Sequence, residues 1–149
     1  MEPLAGEIVN QFARLAWASC KVEVIYQSQD APLIVWADGS RLEQALVNLL
    51  RNALRYTSPG GVVMVETVRR GEYAWLCVRD TGIGIPPEEL TKIWSRYYRA
   101  GSQPQDGLEL NAGLGLPLVK EFIEAMGGNV AVESQPGEGS CFSLGLRLV

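Results

Sequence analysis

Asn48 and Asn52 stand four residues apart, so on a helix they project from the same side, and Arg55 joins them one turn later. An asparagine carbonyl is a hard, neutral oxygen ligand, suited to Mg2+ that already carries phosphates. Taken alone, the pair reads equally as a solvated polar helix face. Asp80-Thr81-Gly82-Ile83-Gly84-Ile85 is the second constellation. An ionised carboxylate accepts hydrogen bonds and donates none. At the floor of an apolar pocket, Asp80 could therefore select a purine bearing an exocyclic amine. Gly82 and Gly84 would let the chain turn tightly and approach the ligand closely. The plain alternative is a strand-to-turn connection. This run does not match GxGxxG, and no later acidic residue suits a ribose, which argues against a dinucleotide fold. Gly113-Leu114-Gly115-Leu116 comes third and opens a helix. Exposed N–H groups and the helix dipole make such a start an anion site, and the glycines would let the preceding loop move as a lid. It could equally be a flexible connection. Ile93-Trp94-Ser95-Arg96-Tyr97-Tyr98-Arg99 brings aromatics and cations to the same region. Trp94 and Tyr97 read as core anchors, and Arg99 as the candidate for phosphate contact. In this order the motifs describe a pocket for a magnesium nucleotide.

The elements that must position these residues follow from hydrophobic period. Leu4, Ile8, Phe12, Leu15 and Ala16 predict a helix over 4–18. Lys21–Tyr26 alternates as a strand, and Leu33–Trp36 predicts a short second one after the Asp30-Ala31-Pro32 turn. Asp38 or Ser40 can cap the next helix, whose apolar stripe is Leu42, Ala45, Leu46, Leu49, Leu50 and Ala53. Val62–Val68 and Glu72–Arg79 predict a hairpin turning at Arg70-Gly71. Its second strand would carry Ala74, Leu76, Val78 and Asp80 on the face toward the helices. Pro86-Pro87-Glu88-Glu89 opens a short helix, and residues 97–112 form a long loop. A helix over 115–126 stops at Gly127-Gly128. Val130–Glu133 and the alternating Phe142, Leu144, Leu146 and Leu148 predict the last two strands, separated by the Pro136–Gly139 turn. The expected fold class is α/β: a two-layer sandwich with a mixed, mainly antiparallel sheet of about five strands, about three helices on one face, and a mobile lid.

Composition narrows the partners. The 149 residues suit one domain, and a formal net charge of −4 without a basic cluster argues against nucleic acid. An acidic domain must recognise a polyanion locally, through backbone N–H groups, metal and a few cations. No apolar run approaches the ~18–20 residues that span a bilayer, and no signal-peptide pattern opens the chain, so no direct membrane contact is expected. Cys20, Cys77 and Cys141 are widely spaced, and the chain has no histidine, so zinc is hard to assemble. They read as reduced, mostly buried thiols in a cytoplasmic domain.

These motifs, in this order, resemble the catalytic, ATP-binding domain of sensor histidine kinases, within the superfamily shared with gyrase-type and heat-shock chaperone ATPases and mismatch-repair proteins. The resemblance runs from about Leu4 to Leu148. Leu42–Tyr56 is similar to the family's N box. It implies Asn52 as Mg2+ ligand, Asn48 near the phosphates and in the catalytic centre, Arg55 where lysine is common, and Tyr56 bordering the nucleotide. Asp80–Ile85 resembles the G1 box, with Asp80 on the adenine amino group and Gly82, Gly84 and Ile85 around it. Ile93–Arg99 looks like the F box, with Tyr98 beside the nucleotide and Arg99 near the γ-phosphate as the second catalytic residue. Gly113–Leu116 is similar to the G2 box, with Gly113, Leu114, Gly115 and Leu116 closing over the phosphates. Ser140, in the Gly137–Phe142 turn, is expected to support the adenine site. There are departures: Asn111-Ala112-Gly113 stands where Gly-Thr-Gly or Gly-Ser-Gly is frequent, and Trp94 replaces a phenylalanine.

The resemblance implies a function that binds ATP and Mg2+ and passes the γ-phosphoryl group to a histidine. Asn48 sits where ATP-hydrolysing relatives carry a glutamate base, and Glu43 is about 1.4 turns earlier, too far to replace it. The acceptor histidine is expected on a separate dimerisation and phosphoacceptor domain, because this chain has none. Residues 1–149 would then be a fragment of a longer kinase, whose final acceptor is a response regulator receiver domain. Two alternatives stay open: an ATP-hydrolysing relative, and a degenerate nucleotide-binding or protein-interaction module.

Overall fold

Helix α1, Glu2–Cys20, ends on Lys21 in the left-handed conformation, φ 55°. The Lys21 and Val22 amides cap the carbonyls of Trp17 and Ala16. This cap delays strand β1 to Glu23–Ser28, later than the alternation from Lys21 predicts. The computed structural model describes residues 1–29, 32–96 and 115–149.

The expected strand over 33–36 is not formed. Only Val35 pairs, as an isolated bridge to Leu148. The reason is where the backbone groups go. The Leu33 amide donates to the Glu2 carboxylate and its carbonyl accepts from the Met1 amine, which ties the segment to the start of α1. Leu148, in turn, donates to the Glu72 carbonyl. One further bond, from the Val149 amide to the Ile34 carbonyl at 3.0 Å, completes the short contact with the end of the chain, and Ile34 and Trp36 stay exposed.

Helix α2, Gly39–Tyr56, is capped by Asp38, whose carboxylate accepts from the Arg41 amide at 3.2 Å. All six residues of the predicted stripe, Leu42 to Ala53, are buried. They meet β2, Val62–Arg70, and β3, Tyr73–Asp80, which form the expected antiparallel hairpin. A single turn of 3-10 helix, Pro87–Glu89, follows where a short helix was expected. Helix α3, Gly115–Ala125, then leads into β4, Asn129–Gln135, and β5, Gly139–Arg147.

The sheet order is β1-β2-β3-β5-β4, parallel between β1 and β2 and antiparallel elsewhere. Ala5, Ile8 and Val9 of α1, the α2 stripe, and Val119 and Ile123 of α3 share one core with Val63, Val65, Leu76, Val78, Phe142, Leu144 and Leu146 of the sheet. This is the two-layer α/β architecture the periodicity predicts. Strand β3 lies at the centre of the sheet, and its helix-side row of Ala74, Leu76 and Val78 ends at the buried Asp80. Cys77 and Cys141 are buried and Cys20 is half-buried, all three as free thiols. Among the described residues no helix is long and apolar enough to cross a membrane.

Candidate nucleotide site

Asp80 is only 5% exposed, which is costly for a carboxylate unless hydrogen bonds replace water. Two do. Its Oδ1 accepts from the Gly82 amide at 2.9 Å and the Ser140 amide at 3.3 Å. Both bonds fall on the same oxygen, and no described residue hydrogen-bonds Oδ2. Burial raises the pKa of Asp80 above the usual carboxylate value, and the two backbone bonds pull against that shift. The result is a fixed, largely desolvated acceptor with one oxygen to spare.

The turn after Asp80 is held from both sides. A Cβ on Gly82 would lie 2.4 Å from the Tyr56 carbonyl oxygen, which also accepts from the Ile83 amide at 3.4 Å. So the turn abuts the end of α2. On the other side, Gly84 has φ 73°, and a Cβ there would lie 2.0 Å from the Gln135 carbonyl oxygen. Gly137 donates to the Ile83 carbonyl at 2.7 Å, and Ile85 donates to Ser134 Oγ at 2.7 Å. Gly139 has φ 108°, and a Cβ there would collide with the Asp80 carbonyl oxygen itself. The connection between β4 and β5 is therefore the second wall of the Asp80 turn. Ser134 did not stand out in the sequence. The one signal for it is that the turn folds it back onto Ser140, its register partner.

On α2, Asn48 and Asn52 are both half-buried, and Tyr56 is half-buried below them. A Cβ on Gly115 would lie 4.0 Å from Cβ and Cγ of Asn48, so the start of α3 meets the asparagine side. Arg55 is exposed, with its guanidinium 5.6 Å from the centre of the Tyr56 ring. Ile85 is buried and Leu116 half-buried against the core. Ile93 is buried and Trp94 meets Phe142 edge-on, with ring centres 6.0 Å apart, the anchor role expected of that aromatic. Arg96 forms an exposed ion pair with Glu121. Glu43 is exposed on α2. Tyr97, Tyr98, Arg99, Asn111, Ala112, Gly113 and Leu114 lie outside the described residues.

The residues brought together fit a magnesium nucleotide. Asp80 Oδ2 and Ser140 can meet a purine edge, while Asn52 offers a carbonyl oxygen on the adjacent helix. Mg2+ borne by phosphates keeps several waters and needs few protein ligands, so the single carboxamide oxygen of Asn52 would fit it.

A two-layer sandwich with a buried acceptor at the end of its central strand and asparagines on the covering helix makes a candidate nucleotide site. Residues 37–149 match the family described as histidine kinase-, DNA gyrase B-, and HSP90-like ATPase, and the chain belongs to it. Within that family its curated relatives are sensor histidine kinases. It is 35% identical over 119 residues to the sensor histidine kinase RcsC of Escherichia coli (strain K12), across 80% of this chain and 12% of that protein. The chain thus spans about an eighth of that relative's length, by the 12% share. The catalytic domain of histidine kinase ThkA has the same fold, with a TM-score of 0.83 at 24% identity over 99% of this chain and 92% of that one. Full-length ShkA in complex with AMPPNP gives a TM-score of 0.84 at 25% identity, over 99% of this chain and 30% of that one. The chain corresponds to the catalytic ATPase part of protein-histidine kinases.

Proposed function

We propose that this chain binds ATP with Mg2+ and supplies the γ-phosphoryl group to a histidine on a separate dimerisation and phosphoacceptor domain. The phosphoryl group would then pass to an aspartate on a response regulator receiver domain. The observation that carries the nucleotide reading is Asp80: one oxygen saturated by backbone, the other left as a buried acceptor. Likeness to a full-length kinase whose structure was determined with AMPPNP supports it.

In this reading Asp80 accepts from the adenine amine, Ser140 supports that edge, and Gly82, Gly84 and Ile85 shape the pocket. Tyr56 borders the base. Asn48 and Arg55 lie toward the phosphates, and Asn52 ligates the metal. Mg2+, when bound, neutralises phosphate charge. Tyr98, Arg99 and the 113–116 segment are assigned to the nucleotide by the sequence resemblance alone, with Arg99 stabilising charge on the transferred group. Phosphoryl transfer needs little covalent chemistry from the protein, so positioning and charge account for most of the catalysis. Asn48 cannot act as a base. A histidine imidazole is already a good nucleophile, so Asn48 suits transfer to histidine better than attack by water. A cytoplasmic site, where ATP and receiver domains are found, belongs to the same proposal.

Calorimetric titration with ADP and an ATP analogue, with and without Mg2+ and with GTP as control, tests this reading. Saturable, adenine-selective binding supports it. Absence of binding in folded protein overturns it in favour of a degenerate interaction module, the reading that the Asn111-Ala112 departure favours.

A further inference from the structure

Ser134 Oγ sits at a junction of three hydrogen bonds. It lies 2.7 Å from the Ile85 amide nitrogen, 2.9 Å from the Gly139 carbonyl oxygen and 2.8 Å from Ser140 Oγ. The amide can only donate and the carbonyl can only accept. Ser134 has one proton, and we assign it to the carbonyl, which has none of its own to offer. In the third bond Ser140 must then donate and Ser134 accept. By that assignment the Ser140 hydroxyl, 8% exposed, is no longer a free rotor: its proton is held against Ser134, and its remaining side presents lone pairs. Beside it, Asp80 fills Oδ1 with the Gly82 and Ser140 amides and presents Oδ2, also as lone pairs.

We propose that Ser134 is a specificity-determining positioning residue. By fixing the polarity of the Ser140 hydroxyl, it makes the floor of the pocket acceptor-only, which admits an amino purine and refuses a keto purine. This inference rests on the nucleotide reading above. Adenine offers an exocyclic amine with two N–H donors to such a floor. Guanine offers a carbonyl oxygen at the same edge; its ring N–H can reach one acceptor, but the carbonyl meets a second with no proton between them. A Ser140 hydroxyl released from Ser134 could rotate and donate to that carbonyl, and discrimination would fall.

The experiment measures affinities for ATP and GTP, both with Mg2+, by calorimetry. It uses the unaltered chain, Ser134→Ala, Ser134→Thr, Ser140→Ala and the double variant, each checked by thermal unfolding. Ser134→Ala should narrow the ATP-over-GTP preference by about tenfold, the scale of one mismatched buried hydrogen bond. Ser134→Thr should restore it. In the Ser140→Ala background, Ser134→Ala should leave the ratio where it is. If the alanine variant unfolds, Ser134→Cys, of similar volume but a weak acceptor, gives the same readout. A purely structural role weakens both nucleotides in parallel and keeps their ratio. That result in folded protein, or an equal shift with and without Ser140, overturns the role of Ser134. An unaltered chain without ATP preference overturns the adenine reading itself.

Discussion

Replacing Asp80 with asparagine exchanges one oxygen for an amide nitrogen and changes little else. The remaining oxygen can keep the Gly82 and Ser140 amides, which leaves the nitrogen at the outward Oδ2 place. A donor would then face the donor amine of adenine. ATP affinity should fall about a hundredfold or more, since a site built to hydrogen-bond one edge rejects a mismatched partner strongly. Folding should not suffer. Burial raises the folded pKa of Asp80 above the ordinary value of 3.8, so the native chain holds that proton more tightly than the unfolded chain does. Between those two pKa values stability falls as pH rises, and at neutral pH the charge is a net cost. Thermal unfolding of Asp80→Asn at neutral pH should therefore match or slightly exceed that of the unaltered chain. Acidification should weaken ATP binding at a higher pH than an ordinary aspartate would, and the asparagine variant should lack that step. Near-normal ATP binding by the variant would falsify the adenine assignment. Asp80, Asn48 and Asn52 stand out as candidates in the sequence because their side chains carry the chemistry, and Ser140 only through the family resemblance. Ser134 does not, because its part depends on which atoms the β4–β5 register sets opposite it.

At the scale of elements, α2 and the β2–β3 hairpin follow from period because one face of each is the more buried, whereas β5 is buried on both faces and shows itself by alternating large apolar residues with small ones. The segment at 33–36 has the composition of a strand, yet both backbone groups of Leu33 go to the start of α1, which no local pattern announces. The close packing of the Asp80 turn on the β4–β5 connection was equally hidden, since glycine spacing shows where a turn is permitted and not what it touches. Two glycines of that connection separate contact from conformation. Both have positive φ, 81° at Gly137 and 108° at Gly139. A Cβ on Gly137 meets nothing within 4 Å, whereas one on Gly139 would sit 2.0 Å from the Asp80 carbonyl oxygen. Gly137→Ala should cost only the backbone penalty, roughly 1–2 kcal/mol. Gly139→Ala must also move a backbone atom of the central strand, so its cost should exceed that of Gly137→Ala by about 1–3 kcal/mol, the range for overpacking. It should also weaken ATP binding, because the displaced atom belongs to Asp80. Urea denaturation of both variants gives the comparison, and equal losses would remove the claim that this contact fixes the pocket.

The whole molecule is acidic, with a formal net charge of −4, and in the proposed function it holds a polyanion. Removing Mg2+ with a chelator should therefore weaken ATP much more than adenosine, which carries no phosphate; equal effects on the two would argue against Asn52 as a metal ligand. The chain also has no histidine, which determines where the phosphoryl group can end. Incubated alone with γ-labelled ATP, it should acquire no phosphohistidine, and with Asn48 in place of a base it should release phosphate slowly. Mixed with a separately produced dimerisation domain bearing an acceptor histidine, it should place label on that domain, and the bond should be labile to acid and stable to base. Asp80→Asn should abolish the transfer through lost binding, whereas substituting the acceptor histidine should abolish it with ATP affinity unchanged. Steady phosphate release in the absence of any acceptor would favour the hydrolysing relatives instead. ATP binding without transfer to any acceptor domain offered would favour a module that retains the fold and the nucleotide but not the kinase reaction.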